Sequence, residues 1–225
     1  MTETINVLIV EDEPLVVTVL ENAFNKISET NIQFEFIVKS ATNCDLAYEQ
    51  IQKAVSKTPF DLVLLDINIP ASDDKKLLSG EDIGIELKEL FPSIKIIVFT
   101  SHNNNYRLNN ILKTLNPDGF LIKSDIDFAK LTEAINSVLV DEPYYSKAII
   151  KLMRRHILND FVLDRIDRQL LHLISKGNQM KDIVKVIPLS KSAIEYRKRN
   201  LKQLFDVEHG NDRHLLLKAT EHGYL

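Results

Sequence analysis

Phe60-Asp61-Leu62-Val63-Leu64-Leu65-Asp66-Ile67-Asn68-Ile69-Pro70 is a short apolar run that ends in a carboxylate. Residues 62–65 are apolar without alternation, the pattern of a strand covered on both faces in a parallel sheet. Asp66 then falls at the carboxyl end of that strand. In open α/β sheets ligands bind at this end, because the connecting loops diverge there and leave a crevice. Taken alone, Asp66 can equally start a turn toward Pro70, and other carboxylates have to decide.

Upstream lies a second apolar run, Ile5 to Val10, which stops at Glu11-Asp12-Glu13-Pro14. Pro14 suits the first turn of a helix, and Val16, Val19, Leu20, Ala23 and Ile27 continue at helical spacing. A strand at 34–39 and a helix at 44–56 lead into the Asp66 strand. Beyond it come a helix at 81–90, a strand at 94–99, a helix at 106–115, a strand at 120–122 and a helix at 128–139. Five strands alternating with five helices predict an α/β architecture, a flavodoxin-like five-stranded parallel sheet. Four strand ends then present Glu11/Asp12, Asp66, Thr100 and Lys123 along one edge. Carboxylates gathered in one crevice repel one another unless a hard cation joins them. Mg²⁺ accepts one or two carboxylates, keeps several waters and completes its shell with phosphate oxygen. The Lys123 charge and the Thr100 hydroxyl would stabilise phosphoryl oxygens in transfer to Asp66.

The 225 residues leave room for a second domain, and 44% hydrophobic with 27% charged residues is an ordinary soluble composition. No apolar stretch approaches the roughly 20 residues of a spanning helix. Met1-Thr2-Glu3-Thr4 lacks the basic-then-apolar layout of a secretory signal, so a cytoplasmic location is expected. The single Cys44 has no disulfide partner and no neighbouring Cys or His for a metal site, and reads as a structural residue. The net charge of −4 hides a split: residues 1–149 carry 13 basic against 23 acidic side chains, residues 150–225 carry 15 against 9. An acidic half joined to a basic half suggests that the latter approaches a polyanion.

Asp141-Glu142-Pro143 breaks the last helix of the first half. Tyr144 to Leu158 is amphipathic and predicts a linker helix, on which Lys151, Arg154, Arg155 and His156 read as a solvated face or, less readily, as a DNA contact. From Asp164 the pattern is wholly helical. A stripe of Leu163, Ile166, Leu170, Leu173 and Ile174 stops at Lys176-Gly177, a short helix covers 182–187, and Ser190 caps a longer one. That helix turns Ile194, Leu201, Leu204 and Phe205 inward and carries Lys191, Glu195, Lys198, Arg199 and Lys202 on its other face. A short helix, a tight turn and a longer basic helix describe either a helix-turn-helix or a small bundle with solvated charges.

With these residues in place, the first half resembles the receiver domain of two-component response regulators, over about Ile5 to Leu139. The resemblance implies that Asp66 is the phosphoacceptor. It makes Glu11 and Asp12 the acidic pair that holds Mg²⁺, with the backbone carbonyl of Asn68 as a further ligand. Thr100 would bond the phosphoryl group, Lys123 would be its counter-ion, and Phe120 the switch aromatic that turns inward as Thr100 moves. His102 stands at the rim. Two departures mark this chain. Residues 71–79 lengthen the loop after Asp66, which reads as a tolerated surface insertion, since doubling a loop costs only about 0.6 kcal/mol, with a lid or partner contact as the alternative. Ser124 follows Lys123 where many relatives carry Pro, leaving the isomer of that bond open.

The second half resembles the LuxR-type DNA-binding domain of NarL/FixJ regulators, over Leu163 to Leu225. It shares Lys181-Asp182-Ile183, Leu189-Ser190, Ile194-Glu195, Asn200-Leu201 and Gly223-Tyr224-Leu225 with that pattern, and departs at Ile166, Arg197 and Leu204. By this resemblance Lys191, Ser192, Glu195, Tyr196 and Arg199 face the groove, with Arg197, Lys198 and Lys202 near phosphates. The expected organisation is a receiver at 1–140, a linker helix at 141–160 and a helix-turn-helix domain at 161–225. The expected function is a DNA-binding response regulator rather than an enzyme. It would be switched by a sensor histidine kinase, dimerise when active and act on promoter DNA without a membrane partner. Two rivals stand beside it. A haloacid-dehalogenase-type phosphohydrolase needs a second Asp where this chain has Asn68. A receiver-like module acting without phosphorylation would not need the full set Glu11, Asp12, Asp66, Thr100 and Lys123.

Overall fold

The computed structural model describes residues 2–101, 104–156 and 162–225. His102, and residues 157–160 of the expected linker helix, lie outside the described residues. The chain forms two compact units, residues 1–102 with 115–157, and residues 103–114 with 158–225. Residues 103–114, expected in the first domain, group with the second unit, and residues 141–157, expected in a separate linker, group with the first.

The first unit is built on a parallel sheet. Its strands are β1 (Glu3–Val10), β2 (Phe34–Ala41), β3 (Leu62–Leu65), β4 (Lys95–Thr100), β5 (Gly119–Ile122) and β6 (Tyr144–Tyr145), in the spatial order β2-β1-β3-β4-β5-β6. All four residues of β3 are buried, as its unbroken apolar run requires. Reversal of strand order at β1 and β3 opens the crevice beyond their carboxyl ends. Val10 pairs with Leu65 in register, so Glu11 and Asp66 leave the sheet side by side. Helices α1 (Pro14–Thr30), α2 (Cys44–Val55), α3 (Gly80–Leu90) and α5 (Phe128–Leu139) belong to this unit, while α4 (Asn105–Leu115) connects β4 to β5. Pro14 occupies the first turn of α1, where its missing N–H costs nothing. Asn43 and Asp127 cap α2 and α5 by accepting from Leu46 N and Lys130 N. Leu20, Phe24 and Ile27 of α1 and Leu131, Ile135 and Val138 of α5 form one core with Val7, Ile9, Leu62 and Leu64. Burying each such side chain contributes about 1.5–3 kcal/mol. Cys44 lies in the interior, its thiol pushed up to about 12 by burial and by the charges of Asp82 and Asp45, as a packing residue.

The sixth strand corrects the expected start of the linker helix. Tyr144 and Tyr145 pair with Gly119 and Phe120, and Ser146 N donates to Phe120 O at 3.0 Å. Helix α6 begins only at Lys147 and runs to His156. Ile149 and Leu152 are buried, whereas Lys151 and Arg154 are exposed.

The second unit holds α4, α7 (Arg165–Ser175), α8 (Met180–Val186), α9 (Lys191–Leu204) and α10 (Asp212–Glu221). Helix α4 joins it through polar contacts. Asn110 accepts from Leu163 N at 2.7 Å and donates to Leu163 O at 3.3 Å, and Tyr106 stacks on His222 at 3.9 Å. Leu170, Leu171, Ile183, Ile194, Leu201, Phe205 and Leu215 make its core. Gly177, at φ 76°, closes α7 with Asn178 N returning to Leu173 O, a left-handed helix stop that suits glycine. Ser190 accepts from Ala193 N and caps α9, as expected. Among the described residues no helix is long and apolar enough to cross a membrane.

Candidate functional site

Four strand ends of the first unit converge. Glu11 follows β1, Asp66 follows β3, Thr100 closes β4, and Lys123 follows β5 in a single 3₁₀ turn, Lys123–Asp125. Glu11 and Asp66 are only 1% and 3% exposed. Lys123 Nζ lies 2.8 Å from Asp66 Oδ2 and 2.8 Å from Glu11 Oε2, with Glu13 Oε1 at 3.5 Å. Asn68 N donates to Asp66 Oδ1 at 2.9 Å, so both acceptor oxygens are oriented. Glu13 was not expected here. Its only signal in the sequence was membership of the acidic run before Pro14.

The charges shape one another. Burial pushes the Glu11 carboxyl above its ordinary value, with Asp66 adding to the shift and Lys123 opposing it. Burial works against the Lys123 ammonium, but its hydrogen bonds to Asp66 and Glu11 outweigh that and raise its pKa. Thr100 is fully buried next to this pair of strands, and the Lys123–Ser124 bond is trans. Phe120 is also fully buried, with β6 paired across it. The aromatic expected to turn inward already sits inside.

The same carboxylates suit a cation. Glu11, Asp12 and Asp66 each offer an oxygen within 4.8 Å of the others. Glu11 Oε2 is buried without a hydrogen bond of good alignment, which leaves a lone pair for a ligand. An all-oxygen donor set with a partly open side, since Asp12 is exposed, is the chemistry of Mg²⁺.

The long loop after Asp66 is pinned rather than loose. Ser72 is buried, exchanges hydrogen bonds with Leu77 and donates to Asp74, and Asp73 N donates to Asp45 Oδ2. Leu78 N donates to Asp82 Oδ2 at 2.7 Å, and Gly80 N returns to Ile67 O at 3.0 Å. A Cβ on Gly80 would stand 1.9 Å from the Asp66 carbonyl oxygen. Gly80 is thus a second residue of the site that went unread as such; a glycine at the end of a long loop was the available sign.

In the second unit α9 exposes Lys191, Ser192, Glu195, Tyr196 and Arg199. Three other expected DNA residues are held by the protein itself. Arg197 bonds Asp164 and Asp167 at 2.7 and 2.8 Å. Lys198 bonds Asp212 at 2.6 Å, and Lys202 bonds Gly210 O at 2.8 Å with Asp212 3.3 Å away. Burial tends to raise the Asp212 carboxyl, but the two lysines outweigh it and hold it below its ordinary 3.8. A carboxyl depressed in the folded state contributes stability above its unfolded value, lost as pH falls through the folded one. The unit is therefore expected to weaken from about 3.8 downward, and Asp212→Asn to flatten that acid slope. The effect is modest because the carboxylate is half exposed. Thermal melts of both proteins from neutral pH into acid check it, and parallel slopes would contradict it.

The family model described as the response regulator receiver domain matches residues 7–136. The transcriptional regulatory protein DegU of Brevibacillus brevis is 23% identical over 200 residues, covering 79% of this chain and 80% of that protein. The transcriptional regulatory protein MctR of Rhizobium johnstonii is 25% identical over 228 residues, covering 99% and 97%. Among solved structures, RcsB from Salmonella enterica serovar Typhimurium, bound to promoter rprA with the phosphomimetic BeF₃⁻, overlays with a TM-score of 0.66. It is 20% identical and covers 97% of this chain and 99% of that one. On its matched receiver model, and with Asp66, Glu11, Thr100 and Lys123 converging as described, the chain belongs to the response regulator receiver family.

Proposed function

We propose that this response regulator takes a phosphoryl group on Asp66 from a phosphohistidine of a sensor kinase and passes the signal to promoter DNA through α9. The observation that carries the reading is the Lys123 ammonium, bonded at once to Asp66 and to buried Glu11. An Asp66 oxygen attacks phosphorus, the bond to the donor imidazole breaks, and an acyl phosphate remains on the chain. As it forms, negative charge moves onto the phosphoryl oxygens, where Lys123 and the Thr100 hydroxyl can follow it. Glu11, Asp12 and Asp66, with the Asn68 backbone carbonyl, would hold Mg²⁺. When bound, that ion neutralises the carboxylates and draws phosphoryl oxygen toward them.

Phosphorylation adds about −1.5 to −2 charge. Thr100 and Lys123 shift toward it, and Phe120, already inside, repacks rather than swings in. Dimerisation and DNA binding follow in the cytoplasm, where kinase and promoter meet. Named relatives are transcriptional regulators, and the basic C-terminal half supports a polyanionic partner.

Incubation with acetyl phosphate and Mg²⁺ is expected to yield one retarded band on phosphate-affinity gels, labile to hydroxylamine and abolished by EDTA. DNA protection by the same sample should rise with that band. A chain that takes no phosphate under these conditions, yet protects DNA equally well, would overturn the reading.

A further inference from the structure

Helix α9 sorts its polar side chains into two sets. Arg197, Lys198 and Lys202 are turned onto Asp164, Asp167, Asp212 and the Gly210 carbonyl. Ser192, Glu195, Tyr196 and Arg199 lie three and four residues apart on an exposed stripe, since 3.6 residues make a turn. Within it the Arg199 guanidinium sits 5.3 Å from the centre of the Tyr196 ring.

A free arginine spreads over many rotamers and loses that freedom when a ligand fixes it. Stacking on an aromatic face removes part of that freedom beforehand. A guanidinium that lies flat on such a ring keeps its in-plane N–H fork open, because the ring then covers only its face. A fork of parallel donors on a helix face matches the two acceptors, O6 and N7, that guanine shows in the major groove. Lysine can reach the same acceptors, but as a compact ammonium without the rigid planar fork that an aromatic ring can hold in place.

Resting on the DNA-binding reading above, we propose that Arg199 reads a guanine in each half-site. Tyr196 is its positioning residue, holding the guanidinium by its ring. Arg197, Lys198 and Lys202 set the pose of α9 through their ion pairs and contribute little to sequence choice. The guanine contact thus rests on a two-residue unit, while Arg197, Lys198 and Lys202 serve the fold.

The test is selection of binding sites from random duplexes by the full chain after acetyl phosphate and Mg²⁺, followed by affinity measurements across a salt series. Arg199→Lys is expected to lower the preference for one guanine per half-site about tenfold or more, as loss of one bidentate pair does. Its slope of log affinity against log salt stays unchanged, because the charge is kept. Tyr196→Leu should relax the same position several-fold, and Tyr196→Phe should restore it. Arg197→Gln should leave the selected sequence unaltered while lowering the melting temperature. The proposal is overturned if Arg199→Lys keeps the guanine preference, if Tyr196→Phe loses as much as Tyr196→Leu, or if Tyr196→Leu relaxes a different position. If the wild-type chain selects no sequence and its binding ignores salt, the DNA-binding reading falls first, and the two failures are told apart by that control.

Discussion

Replacing Asp66 by Asn is expected to abolish phosphoryl uptake altogether, with little loss of folding stability. The amide nitrogen and oxygen keep the shape of the side chain but offer no anionic nucleophile, so the acyl phosphate cannot form. Stability survives because Lys123 still has Glu11 at 2.8 Å, and because one of two buried carboxylates has been neutralised. Removing the cation is a different matter. Lys123→Met leaves Glu11 and Asp66 facing each other without a counter-charge, and breaking a buried pair this way costs about 3–5 kcal/mol. Denaturant midpoints and phosphate-affinity gels on the two variants separate chemistry from folding. An Asp66→Asn chain that still gives the hydroxylamine-labile band would place the phosphoacceptor elsewhere.

Gly80→Ala is expected to damage the same reaction from the backbone side. The new methyl would lie 1.9 Å from the Asp66 carbonyl oxygen and 2.9 Å from its carbonyl carbon, both main-chain atoms at the end of β3. Neither can rotate away, so the peptide carrying Asp66 has to move. A shift of about 1 Å in a reacting group costs on the order of a hundredfold in rate. The overpacking itself costs about 1–3 kcal/mol. The initial rate of acetyl phosphate uptake should fall by that order, and the midpoint of denaturation with it. Wild-type values for both would show that the 71–79 loop yields freely.

The sheet and its reactive edge were legible because they follow from local pattern. An unbroken apolar run of four residues suits a strand covered on both faces, and the carboxylate at its end took its meaning from the other strand ends. Glu11, Asp66, Thr100 and Lys123 each carried that signal separately, so their convergence needed only the strand order. Gly80 carried no such signal, since what it avoids is an atom fourteen positions earlier in the chain. The sixth strand was hidden for another reason. Tyr144-Tyr145 sits in a segment of helical period, and its pairing is made by main-chain atoms that sequence pattern does not register. On α9, spacing identified a polar face but not what it faces. Asp164, Asp167 and Asp212 reach Arg197 and Lys198 only through the packing of α7 and α10.

The short strand β6 has a mechanical corollary. Ser146 N is tied to the Phe120 carbonyl, and α6 starts at the very next residue, so the rotational phase of that helix is dictated by the edge of the sheet. A single residue inserted between Ser146 and Lys147 would turn the buried pair Ile149 and Leu152 by about 100° and advance it about 1.5 Å. The connection is keyed, and its length tolerates change only in steps close to whole turns.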